Sequence, residues 1–215
     1  MVAVRGRRLA REMKEVTSPP LPIELSDARA LIAGRFFPLQ TASDTKLVAQ
    51  LPLGLAENTR HQVIVARGKT YSAPEPVLVV SANPTLFSTD ETGSNQGMVY
   101  VFVDGVPVLA DESRPAKGGE EVTIRCTGLG GTVPAVGSGE AAPVDPPARV
   151  MGEVRVTIAG RDAEVRSAIL APGRVGEYLV TAVVPVDVEA TSAAPVIVST
   201  NGIESTPVTI ALAGL

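Results

Sequence analysis

A chain that repeats itself must fold into a unit that can be used twice, and four blocks of this sequence recur in the same order. The run Val2-Ala-Val-Arg-Gly-Arg-Arg-Leu9 aligns with Val122-Thr-Ile-Arg-Cys-Thr-Gly-Leu129. Ala30-Leu-Ile-Ala-Gly-Arg35 aligns with Val156-Thr-Ile-Ala-Gly-Arg161, with Ile-Ala-Gly-Arg common to both. Gln50-Leu-Pro52 aligns with Val183-Val-Pro185. Val63-Ile-Val65 aligns with Val196-Ile-Val198, each followed by a turn glycine (Gly68, Gly202) and then by Ser-x-Pro at Ser72 and Ser205. Retained order and nearly retained spacing predict two copies of one module, at residues 1–82 and 119–215. Residues 83–118 are then expected to be a linker carrying a β-hairpin.

The blocks themselves read as strands. Runs of β-formers occur at residues 2–5, 28–33, 47–51, 62–66, 77–81, 98–103, 122–126, 154–159, 178–184, 196–199 and 208–212, each bounded by turn residues. Asp104-Gly105 is the clearest hairpin signal, because a two-residue type I′ turn needs positive φ at both positions. Residues 9–16 are the only candidate helix, a short charged run ended by Ser18-Pro19-Pro20. Aromatics make up 3% of the chain and Trp is absent, so the cores must be built from aliphatic side chains, Val above all, which favour a pleated surface. The predicted fold class is all-β: two tandem Ig-like β-sandwich modules related by internal duplication. Sandwiches of about 100 residues each suit a 215-residue chain.

The second copy resembles the Ig-like, IPT/TIG-type C-terminal domains of large exported proteins of soil bacteria, chiefly acidobacteria. The resemblance is carried by residues 122–130, Gly139-Glu-Ala-Ala-Pro143, Val156-Thr-Ile-Ala-Gly160, Ala163-Glu-Val165 and Leu170-Ala-Pro-Gly173. Val175-Gly-Glu-Tyr178, Val183-Val-Pro185 and residues 208–212 complete it, and the first copy follows the same outline more loosely. The resemblance implies Ig-like sandwiches and an extracellular or cell-surface address. It brings no catalytic residues.

Several chemistries are excluded or disfavoured by the residues present. A single cysteine, Cys126, rules out an intramolecular disulfide framework and a cysteine-based zinc site. It shares a strand face with Val122 and Ile124, which points to a small core residue rather than a nucleophile. One histidine, His61, is a poor start for a triad or a metal centre and is expected in a solvated loop. The acidic pairs Asp90-Glu91, Asp111-Glu112 and Glu120-Glu121 lack the Asp-x-Asp pattern of a calcium loop. The basic run Arg5, Arg7, Arg8, Arg11 and Lys14 is interrupted by acids in a chain of net charge −4, which argues against nucleic acid. No apolar stretch approaches the roughly 18 residues of a membrane span. No apolar segment follows the N-terminal arginines as a signal peptide would require, so the chain is expected to be intracellular or an excerpt of a longer precursor. No catalytic residues, metal ligands or cofactors are expected, and the protein is not expected to be an enzyme.

Tyr100 and Phe102 are the one candidate ligand-binding pair, alternating with Val99, Val101 and Val103 on the hairpin strand. Exposed together they would form a platform for a carbohydrate. Packed on both faces, the hairpin would instead fix the angle between the modules. The function expected is a non-catalytic structural or adhesive module of a bacterial surface protein, with a carbohydrate-binding accessory module as the alternative. The first copy begins on its first strand, with nothing before it to match the hairpin that precedes the second. Its edge is therefore expected to accept a strand from a protein partner or from another subunit in self-assembly.

Overall fold

Alternation of buried and exposed side chains along short Val-rich runs produces only strands. The computed structural model describes residues 1–214 and is all-β, with no helix among them. The first long strands are β1 (Val2–Arg5), β2 (Ala28–Ile32), β3 (Leu39–Ala42), β4 (Lys46–Ala49), β5 (Thr59–Arg67) and β6 (Glu75–Val79). There follow β7 (Val99–Val103), β8 (Val106–Leu109), β9 (Glu121–Thr127), β10 (Val154–Ile158), β11 (Arg161–Leu170), β12 (Tyr178–Val183), β13 (Thr191–Thr200) and β14 (Val208–Ala213).

The chain forms two compact units, and neither is one continuous stretch. The first comprises Met1–Ser81 together with Ala135–Pro146 and Pro172–Gly176. The second comprises Ala82–Pro134, Pro147–Ala171 and the chain from Glu177 on. Residues 83–118 thus belong to the second unit, where β7 is hydrogen-bonded to β9.

In the first unit, one sheet runs β1-β4-β3 and ends on the short strand Lys14–Glu15. The other pairs β2 with β5, and β5 with β6. Leu39, Ala42, Leu47 and Ala49 from one sheet share a single core with Ala28, Ala30, Ile32, Val65 and Val79 from the other. Phe37, 1% exposed, supplies the bulk that small alanines on both sheets leave room for. Burial of each large side chain is worth about 1.5–3 kcal/mol. Residues 138–142 close this unit: Leu21 N–H donates to the Gly139 carbonyl (2.8 Å), Gly139 N–H to Gln50 Oε1 (2.5 Å) and Leu53 N–H to Ser138 Oγ (3.0 Å). Gly139 sits at φ 82°, and a Cβ there would lie 3.0 Å from Pro38 Cβ, so only glycine suits this approach.

The helix expected over residues 9–16 does not form. Arg8 adopts φ 56°, Leu9 and Ala10 turn into the core, and Lys14–Glu15 pairs with β3 instead. With no apolar stripe at helical spacing, this run gains more from burying two residues than from one charged helical turn.

In the second unit a large sheet runs β8-β7-β9-β12-β11-β10-β13-β14. The long strand β11 joins its two halves: Arg161 to Ala163 pair with β10, and Glu164 to Leu170 pair with β12. The far end of the sheet comes back to its beginning. Gly97 N–H donates to Thr209 O (2.8 Å), Thr209 N–H to Asn95 O (2.6 Å) and Ala211 N–H to Ala110 O (3.1 Å). Val99, Val101, Val122, Ile124, Ile158, Val180, Val196 and Ile210 are fully buried between the walls so formed.

Pairing within each unit is defined residue by residue. In the first, Val2 faces Ala49 and Val4 faces Leu47; in the second, Val122 faces Ala182 and Ile124 faces Val180. Ala30 faces Val65 and Ile32 faces Val63, while Val156 faces Val198 and Ile158 faces Val196. A bulge interrupts β3–β4 between Leu39 and Thr41, and another interrupts β11–β12 between Val165 and Ser167.

Candidate functional site

The hairpin β7–β8 is the first place to look for a binding surface. Asp104 and Gly105 turn it at φ 50° and 78°, and Val103 faces Val106 across the turn. Strand alternation sends Val99 and Val101 fully into the core. Tyr100 is half-buried and Phe102 is 53% exposed, so the two aromatics share a face but differ in access. Phe102, Val103 (39% exposed) and Val106 (59%) together make an apolar tip. A hairpin clamped on both faces would leave no such tip open.

Tyr100 is held from below. It lies opposite Thr123 of β9, and its hydroxyl interacts with the guanidinium of Arg125, two residues along the same strand. Arg125 donates through Nε to Glu177 Oε1 (2.6 Å) and through Nη2 to Glu177 Oε2 (3.0 Å). Its guanidinium lies 5.8 Å from the Phe87 ring centroid and its Nη1 3.6 Å from Met98 Sδ. Hydrogen bonding to Glu177 raises the Arg125 pKa further, against the opposing effect of burial. The result is a braced patch of Phe87, Met98, Tyr100 and Arg125. Its chemistry is stacking and hydrogen bonding. Arg125 and Glu177 were not legible as partners, since 52 residues separate them.

The remaining candidates fall apart in space. His61 lies on β5, half-buried, with Nε2 2.9 Å from the Ala56 carbonyl, and not in a solvated loop as its turn sequence suggested. Cys126 is fully buried, and burial pushes its thiol far above the ordinary range, so it is not ionised at neutral pH. Asp90 is held well below the usual carboxylate range by the Ser88 hydroxyl, then by Asn95 and Thr92; those bonds close the 88–95 loop. Asp111 is lowered by the hydroxyl and N–H of Ser113. Glu120 is pushed up by burial, but its bonds from Arg114 and the Lys117 N–H lower it overall. Among the described residues, no three His, Cys, Asp or Glu side chains come together as a metal site. Arg5, Arg7, Arg8 and Arg11 are exposed, and Arg11 pairs with Asp27 at 2.5 Å.

No protein-family model matches the chain, and no curated protein matches it. Among solved structures, the surface layer protein SbsC, domains 4–9, is similar over 90% of this chain at 17% identity, with a TM-score of 0.23. This chain spans 23% of that one's length. A TM-score so low carries no argument about fold or function.

Proposed function

We propose that this protein is a non-catalytic structural or adhesive module of a bacterial surface or extracellular protein, built from two copies of one Ig-like sandwich of IPT/TIG type. The observation that carries the reading is the agreement in strand register between the two units. Aligning the sequence blocks matches Val2 with Val122 and Ala49 with Ala182, and each pair is opposed in its own sheet. The same alignment matches Ala30–Val65 with Val156–Val198, and Gln62–Pro76 with Pro195–Thr209. The two bulges fall at equivalent positions. So do two side-chain bonds, Val65 N–H to Ser72 Oγ and Val198 N–H to Ser205 Oγ. Because a one-residue slip would turn every side chain to the wrong face, such agreement favours common descent of the two units. Repeated sandwiches whose lowered carboxylates, Asp90, Asp111 and Glu120, are engaged in their own loops and ion pairs suit a spacer or adhesive role.

The test is the mass and N-terminal sequence of the native protein, recovered fraction by fraction from its own cells. Recovery in the envelope or medium supports the surface reading. Confinement to the cytoplasm would remove it.

A carbohydrate-binding accessory module is the second reading, favoured by the exposure of Phe102 beside a braced Tyr100. Affinity electrophoresis in polysaccharide gels tests it. Retardation lost on Phe102→Ala would support this reading, and migration unchanged in every polysaccharide would remove it.

A further inference from the structure

The two units differ at one edge. In the second unit β9 lies between two neighbours, β12 on one side and β7 on the other. In the first, the equivalent strand β1 pairs with β4 alone and ends its sheet. Gly6 N–H donates to Thr45 O at 3.0 Å, which fixes the alternation along β1. The backbone groups of Val2 and Val4 then point to β4, and those of Ala3 and Arg5 point away from it. At the equivalent of Arg5, Arg125 N–H donates to Met98 O (3.1 Å), and at the equivalent of Ala3, Thr123 lies opposite Tyr100. Burial follows the same contrast. Val122 and Ile124 are fully buried, whereas Val2 and Val4 are only half-buried, although they pack on the core.

Resting on the duplication reading above, we propose that the outer edge of β1 is a docking site for a β-hairpin arm of another protein. The arm runs antiparallel to β1 and bonds to the backbones of Ala3 and Arg5. Its inward side chains are aliphatic, in the positions that Val99 and Val101 hold over β9, and they cover Val2 and Val4. Arg5, Arg7 and Arg8 are all exposed at the end of β1, so an arm with acidic residues before its strand is favoured. A second copy of this chain does not offer such an arm. Its own hairpin is already bonded to β9, and the outer edge of that hairpin carries Pro107, which has no N–H to donate.

The probe is a synthetic peptide of residues 95–112, which carries the Met98–Leu109 pattern with acids at its end, added to the full chain. Hydrogen exchange at Ala3 and Arg5 is expected to be fast in the protein alone and to slow about tenfold or more with peptide bound. Ala3→Pro removes one outward N–H and leaves the bonds to β4 intact. It is expected to weaken peptide binding about tenfold, the equivalent of 1.4 kcal/mol, with Tm little changed. Unchanged exchange at Ala3 and Arg5, or equal binding by Ala3→Pro, would overturn the proposal. Self-association of the protein alone with protection at these amides would overturn the choice of occupant. Fast exchange at Val2 and Val4 themselves would instead show that β1 is not paired as β9 is, and the duplication reading would fail first.

Discussion

Arg125 on β9 and Glu177, just ahead of β12, form a two-pronged ion pair, with side chains 30% and 14% exposed. A guanidinium so placed has few alternative acceptors, and removing the carboxylate leaves a half-buried charge without its main partner. Glu177→Gln is expected to cost about 2 kcal/mol, more than a surface ion pair is worth. A urea titration of both proteins checks this, and an unchanged midpoint would show the pair to be solvated in effect.

Tyr178 donates its hydroxyl to the Gly130 carbonyl at 2.5 Å, and burial pushes its pKa up to about 12. The unfolded tyrosine ionises near 10, so the folded state holds the proton over a window in which the unfolded state has lost it. Stability from this group is therefore fully present below about pH 10 and falls as pH rises towards 12, by an amount of the order of 2 kcal/mol. Tyr178→Phe should remove that alkaline limb while lowering stability at neutral pH. Parallel slopes for both proteins between pH 10 and 12 would contradict the assignment.

Cys126 should be inert until the second unit opens. Its thiol has no exposed surface and burial disfavours the thiolate, so labelling by an aromatic disulfide reagent should follow the opening of the sheet around it. Rapid stoichiometric labelling in native buffer would show that β9 is far more accessible than its pairing on two sides implies.

Ser72 and Ser205 make the same bond, at 3.0 and 3.2 Å, in different surroundings. Ser205 is buried and Ser72 is exposed. Without its hydroxyl, Val65 N–H can turn to water, whereas Val198 N–H cannot. Ser205→Ala should cost about 1–2 kcal/mol and Ser72→Ala a few tenths, read as shifts in the urea midpoint. Equal costs would mean that solvent reaches both sites alike.

Most strands were legible because a period of two with β-branched residues survives in a single sequence. Two of the long strands were not, and the bulges explain why. In β11 the apolar positions are Ala163 and Val165 before the bulge but Ala168 and Leu170 after it, so alternation changes phase midway. The same shift separates Leu39 from Ala42 in β3. The hairpin turn was readable from Asp104-Gly105 because φ demands it locally. The brace beneath Tyr100 was not, because Arg125 and Glu177 become neighbours only once β9 and β12 pair. Residues 135–146 and 172–176 carried no sign that they would fold with the first unit, since each of the bonds that hold residues 138 and 139 there uses a backbone group on at least one side.

That three-piece construction has a consequence for synthesis. Chain elongation proceeds at about 5–20 residues per second, and domains commonly fold as they emerge. Here the amino-terminal unit must wait for Gly176 to leave the ribosome before its last piece can join. Until Gly139 emerges, Gln50 Oε1 has only solvent to bond. The two halves of the protein are thus tied to finish at nearly the same moment, whichever was begun first.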